Sequence, residues 1–219
     1  MSSVADVAST DTVPPELVRC WWTEGIGSAD PEMVAYHDSE WGLPVSDDAE
    51  LFERLALEGF QAGLSWATIL RKRSAFRSAF SDFNPAAVAA FGAIDRARLL
   101  EDAGIVRNRL KIDATIGNAA AFLAIAEEFG SFADYLAGIL PRPAPRIARG
   151  ESWADIPATT PESDALSADL RRRGFRFVGS TIVYSFMQSV GLVDDHLPRC
   201  FRYARLRTQG SARPLDPGS

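Results

Sequence analysis

Four side chains of this 219-residue chain are of types that bind a soft metal: Cys20, His37, His196 and Cys200. They are all of its cysteines and histidines, and one Cys/His pair lies near each end. In the C-terminal pair, His-x3-Cys, a helical turn puts both side chains on one face. Two thiolates and two imidazoles make a complete tetrahedral set for zinc. With every position filled by protein, such a zinc is structural and fastens the two ends of the chain together. Two buried thiols with two unrelated imidazoles would give the same count, since the pairs lie far apart. A Cys20–Cys200 disulfide is a third reading, which needs an oxidising compartment.

A second constellation surrounds Glu58, in Leu57-Glu-Gly-Phe-Gln-Ala-Gly-Leu-Ser-Trp66. The run sets a carboxylate close to Trp66 across a Gly-bounded turn. Tyr36, Trp41 and the tandem Trp21-Trp22 precede it. Aromatics around one carboxylate suit a flat, cationic ring. The plainer reading makes the tryptophans core and Glu58 a solvated helix-end residue.

A third lies in Leu99 to Ile112, where a helix meets a Gly104-Ile105 turn and another helix begins. Backbone N–H groups near a helix N-terminus form an anion site suited to a DNA phosphate. Arg107, Arg109 and Lys111 add positive charge. An ordinary helical corner with solvated basic residues reads the same way.

Positioning these groups falls to helices. Ser28-Ala-Asp-Pro31 opens one that carries Tyr36 and His37. Asp47-Asp48 caps an amphipathic segment running to Glu58-Gly59, and Gly63 breaks it. Ser65 caps the next, and Asn84-Pro85 opens a short one. Further helices are expected over 95–103, 108–129, 131–140 and 163–173. The apolar span 179–190 is helical in length, although Thr181, Ile182 and Val183 keep a strand open. Three prolines make 141–150 a surface linker. Period-two alternation is scarce, so the fold class is all-α. We expect two interlocked helical lobes in one domain, residues 19–206, with a flexible leader (1–18) and tail (207–219).

The bulk numbers set bounds. Hydrophobic residues are 47% and charged residues 24%, which is globular composition. No apolar run reaches the roughly 20 residues of a membrane span, and no secretory signal is visible. A cytosolic monomer is expected. Net charge is −6, which by itself argues against nucleic acid. The basic residues are clustered, however, at 71–73, 107–111, 171–173 and 199–207. An acidic protein can still present one basic face.

The motifs recur in the order of a known family. Arg19-Cys20-Trp21, Ala35-Tyr-His-Asp-Ser-Glu-Trp-Gly42, the Leu57–Trp66 run, Ala103-Gly-Ile-Val-Arg-Asn-Arg-Leu-Lys-Ile112, Phe177-Val-Gly-Ser-Thr-Ile-Val-Tyr-Ser-Phe-Met-Gln188 and Gly191-Leu-Val-Asp-Asp-His196 together resemble the DNA-3-methyladenine glycosylase I family. The resemblance covers roughly Arg19 to Tyr203. It implies a helix-hairpin-helix glycosylase fold, excision of 3-methyladenine from double-stranded alkylated DNA, and a structural zinc on Cys20, His37, His196 and Cys200. It also implies that Glu58 reads the extruded base between Tyr36 and Trp66, with Trp22 and Trp41 completing the wall. Gly63 and Leu64 would fill the gap in the DNA stack. The hairpin from Gly104 and Ile105 through Arg107, Arg109 and Lys111 would hold phosphates. Two positions depart from the pattern: Met33 stands where some members have an aromatic, and Val183 where some have a cysteine. The aspartate that many related glycosylases place after the hairpin is not supplied by Ile112-Asp113. A zinc-stabilised DNA-binding module without turnover is the rival reading. A zinc hydrolase is a weaker one, because four protein ligands leave no open position.

Overall fold

A computed structural model describes residues 17–23, 30–140 and 153–203. Among them there is no strand, and nine α-helices follow one another. These are α1 (Pro31–Ser39), α2 (Asp48–Gln61), α3 (Trp66–Ala79), α4 (Pro85–Ala89), α5 (Ala93–Glu101), α6 (Arg109–Phe129), α7 (Phe132–Ile139), α8 (Pro161–Arg172) and α9 (Ser180–Ser189). The all-α expectation holds. The strand alternative at 181–183 does not, because those residues lie inside α9. The expected linker at 141–150 lies outside the described residues, as do residues 1–16 of the leader and all of 207–219.

The helix starts follow the local chemistry. Asp30, Asp47, Ser65, Asn84, Asn108 and Ser131 each accept a first-turn N–H through the side chain. Each such cap contributes about 1 kcal/mol. Two helices begin earlier than the sequence pattern suggests. Gly92 gives its N–H to the Asp95 carboxylate ahead of α5. Thr160 and Ser163 cap each other around Pro161 at the head of α8. Between α2 and α3, Gly63 takes φ +81°, which a side chain would resist.

α2 lies at the centre and packs against α3, α6, α7 and α9. From Leu51 to Phe60 every residue is buried, charged ones included. A helix buried on all sides must pair its charges. Glu53 accordingly meets Arg73 and Arg77, and Arg54 meets Glu40 and Glu50. Asp48 accepts the N–H groups of Phe132 and Ala133, so the first turn of α2 caps α7. The large core gathers around Phe52, Phe60, Phe76, Phe80, Phe83, Phe122 and Phe132. A smaller cluster comprises Cys20, Tyr36, Trp41, Leu197 and Cys200, and Trp66 packs on both.

Candidate active site

A cavity of about 190 Å³ is lined by Trp22, Met33, Tyr36, Trp41, Glu58, Gln61, Trp66, Ser185 and Gln188. It therefore brings together all five residues expected to hold a base. Tyr36 comes from α1, Glu58 from the last turn of α2 and Trp66 from the first turn of α3. The Tyr36 and Trp66 rings are 5.3 Å apart, and Trp22 meets Trp41 edge-on at 5.2 Å. Met33 stands in the wall, where a flexible thioether replaces a ring.

Glu58 is 5% exposed, and its Oε2 has no hydrogen-bond partner. Burial pushes its carboxyl up to about 8, although the Arg54 guanidinium pulls the other way. Tyr36 is also pushed up, first by burial and then by Glu58, so its hydroxyl keeps its proton. Arg54 lies 5.4 Å from the Tyr36 ring centre. Trp66 Nε1 is buried without an acceptor. An unanswered acceptor and an unanswered donor thus face an aromatic cavity, which fits a polar, planar ligand.

The residues expected to touch DNA lie on the α2–α3 turn and the α5–α6 turn. Leu64 is 42% exposed and Gly63 is exposed beside it. The α5–α6 turn presents Arg107 and Arg109 to solvent. Neither makes an ion pair among the described residues. Two other basic clusters are partly neutralised: Arg71 pairs with Asp30, Arg73 with Glu40 and Glu53, and Arg172 and Arg173 with Asp169. The expected anion site needs three adjustments. Gly104 gives its N–H to the Asp102 carboxylate, 2.7 Å away, and Ile105 buries its side chain in the core. Asn108 takes the N–H of Lys111 on its side chain and that of Ile112 on its carbonyl, which leaves those of Arg109 and Leu110 at the helix mouth. Lys111 turns inward: it is 7% exposed, and its Nζ donates to the Phe60 and Ala62 carbonyls at 2.7 and 2.6 Å. Carbonyls left over at the end of α2 attract that ammonium more than solvent does. Lys111 therefore braces the end of α2 and does not present its ammonium to solvent as Arg107 and Arg109 do. Asp113 pairs with Arg96 on the surface.

The chain ends meet through the sulfur and imidazole groups. Cys20, His37 and Cys200 are buried with their ligand atoms within 4.8 Å of one another. His37 Nδ1 is bonded to Asp38 at 2.8 Å, which turns Nε2 toward Cys200 Sγ at 3.3 Å. Arg19 grips Asp38 in turn. A hydrogen bond from Cys20 holds the Cys200 thiol below the usual thiol range, although burial pulls the other way. His196 packs beside this group, its ring 5.2 Å from that of His37. Asp194 holds its Nδ1 at 2.9 Å, and its buried Nε2 has no partner. Gly42 makes room there: its φ is +76°, and a Cβ would stand 2.6 Å from the His196 ring. Phe201 also donates its N–H to the Val18 carbonyl. Both cysteines are free thiols.

The family model for methyladenine glycosylase matches residues 25–203. The chain belongs to the methyladenine glycosylase family. The DNA-3-methyladenine glycosylase 1 of Escherichia coli K12 is 48% identical over 187 residues, covering 85% of this chain and 97% of that protein. A crystal structure of 3-methyladenine DNA glycosylase I superposes with a TM-score of 0.77 at 48% identity, covering 84% of this chain and 98% of that one. The Staphylococcus aureus enzyme, solved to explain 3-methyladenine recognition, gives 0.76 at 38% identity and covers 82% of this chain and 95% of that one.

Against this glycosylase site, the sequence reading omitted Arg54, Gln61, Ser185 and Gln188. Spacing gave a signal for three of them. Gln61 follows Glu58 by one turn of α2, and Ser185 and Gln188 are one turn apart on α9. Arg54 gave none, since a charged residue four places before Glu58 reads as a surface ion pair.

Proposed function

We propose that this methyladenine glycosylase releases 3-methyladenine from alkylated double-stranded DNA, with Glu58 as the group that reads the base. The observation that carries the reading is the unpartnered Glu58 Oε2 inside an aromatic cavity. Methylation at N3 makes adenine cationic, so the base departs as a neutral molecule and needs no proton from the enzyme. The Glu58 carboxylate accepts from the amino edge of the base and its charge favours the cation. Tyr36 and Trp66 stack and donate around it, and Trp22 and Trp41 close the wall. Tight hold on the ground-state cation does not by itself speed cleavage. The sugar cation left behind is captured by water, which loses a proton to solvent and leaves the abasic site. Leu64 fills the stack vacated by the flipped base, with Gly63 allowing the approach. Gly104 and Ile105 shape the hairpin backbone, and Arg107 and Arg109 hold phosphates. Asp113 takes no part.

The ligand set fits one structural zinc: Cys20, His37 and Cys200, with His196 Nε2 as the fourth donor. Each imidazole has a carboxylate on Nδ1, the arrangement that leaves Nε2 free to ligate. When bound, zinc supplies a cross-link between the chain ends and no chemistry. Two apolar clusters joined at Trp66 support a reading of two interlocked helical lobes. No helix among the described residues is long and apolar enough to cross a membrane. We place the enzyme in the cytoplasm as a monomer.

The test is release of free base from methylated duplex DNA. Wild type is expected to free 3-methyladenine, and Glu58→Ala and Glu58→Gln to lose most of that release while staying folded. Normal turnover by both variants would remove Glu58 from the role. DNA binding without any base release would replace the enzyme with a binding module.

A further inference from the structure

Two amide side chains face the base cavity, and they differ in one respect. Gln61, on α2, makes no side-chain hydrogen bond among the described residues. Gln188, on α9, is anchored: its Nε2 donates to Asp195 Oδ2 at 2.7 Å. The same oxygen accepts the Tyr184 hydroxyl at 2.5 Å. Gln188, Tyr184 and Asp195 are all buried. An ionised carboxylate only accepts hydrogen bonds, so Asp195 can face only the amide nitrogen. The Gln188 amide is therefore fixed with its carbonyl oxygen turned away from Asp195. That oxygen has no hydrogen bond among the described residues, and Gln188 lines the base cavity.

We infer that Gln188, positioned by Asp195, is a specificity-determining residue that accepts a hydrogen bond from the amino group of the bound purine. The inference rests on the base-excision reading above. Glu58 from α2 and Gln188 from α9 then present two acceptors to one ligand edge. An exocyclic amine has two N–H bonds and can answer both. A purine with a carbonyl at that place, such as 3-methylguanine, sets oxygen against oxygen and leaves a buried acceptor unpaired. Specificity here comes from an acceptor that cannot turn over. A freely rotating amide such as Gln61 would show its NH₂ to a carbonyl and accept either base.

The experiment measures 3-methyladenine and 3-methylguanine released from one sample of methylated duplex DNA. The ratio of the two rates is independent of how much of a preparation is folded. Gln188→Met keeps length and removes the acceptor. It is expected to lower the ratio by about tenfold, mostly through loss of 3-methyladenine release. Asp195→Asn is isosteric but can donate as well as accept, which frees the Gln188 amide to turn. It is expected to lower the ratio as well. The double variant is expected to be no worse than Gln188→Met alone, because Asp195 acts through Gln188. An unchanged ratio in Gln188→Met, with wild type releasing 3-methyladenine, overturns the inference and leaves the glycosylase reading standing. Additive effects in the double variant overturn the positioning role of Asp195. A wild type that releases neither base overturns both readings together.

Discussion

Glu58 shows how burial sets both the selectivity and the pH range of a carboxyl group. In the free enzyme desolvation raises it to about 8, with Arg54 opposing. Below that value the free site holds a neutral acid, which accepts a cationic base poorly. The pH profile of kcat/KM reports the free enzyme. We expect kcat/KM for 3-methyladenine to fall as pH drops through about 8, and Glu58→Gln to show a low, flat profile. A wild-type limb that persists in Glu58→Gln would assign it to another group. The same burial has a cost in stability. The folded-state value lies above the unfolded one of 4.5, so the folded protein binds the extra proton and stability falls as pH rises from 4.5 through about 8. Glu58→Gln should therefore melt near wild type at pH 4.5 and above it at pH 8.5. In a chain of this size each kcal/mol is worth about 2–4 °C, so the difference is several degrees. That Glu58 would lie among the aromatics was legible in the sequence, because a carboxylate among tryptophans is an unusual neighbourhood. Its ionisation was not, because that depends on Arg54 and on how completely α1, α3 and α9 close over it.

At the scale of elements, the α2–α3 region that carries Leu64 and the hairpin are tied to each other twice. Lys111, from the first turn of α6, holds the Phe60 and Ala62 carbonyls at the end of α2. Lys72, from α3, holds the Ala103 and Gly104 carbonyls of the hairpin at 3.1 and 3.0 Å. Each ammonium belongs to one structure and ties down its neighbour, so the proposed phosphate grip at Arg107 and Arg109 would fix where Leu64 meets the duplex. We expect Lys111→Met to lower excision from duplex DNA about tenfold or more while DNA binding changes little, because loosening a positioned group costs rate before affinity. A matching loss of affinity would return Lys111 to the phosphate surface. Leu64→Ala should lower excision from duplex DNA more than from single strands, where no stack needs filling. Equal losses on both would remove the wedge. The helices themselves were legible from caps and apolar spacing, as Asp47, Ser65 and Asn108 show. The inward turn of Lys111 was not. Its sequence neighbours Arg109 and Leu110 are exposed, and only the folded position of α2 supplies the carbonyls that draw it in.

At the scale of the molecule, the chain closes where its two ends meet. Arg19, Cys20 and His37 lie on one side of that junction, and Asp194, His196 and Cys200 on the other. Trp22 and Trp41 contact the same imidazoles at 5.2 and 4.5 Å, and both also line the base cavity. The Cys/His group thus stands directly behind one wall of the cavity. The four candidate ligands could be named from residue type alone, but the meeting of Cys20, His37 and Cys200 could not, because nothing in the spacing relates Cys20 to Cys200. The proposed zinc contributes folding free energy of several kcal/mol, since the unfolded chain does not hold the site together. Elemental analysis should find one zinc per chain. Its removal by a strong chelator should lower the melting midpoint by on the order of 10 °C. Cys200→Ser should reproduce most of that fall and leave the protein insensitive to the chelator. Excision should decline only as the Trp22–Trp41 wall loosens, because no reacting atom needs the metal. Activity at well below the apo midpoint should therefore persist at a reduced level, and its complete loss in a folded apo protein would make the metal catalytic.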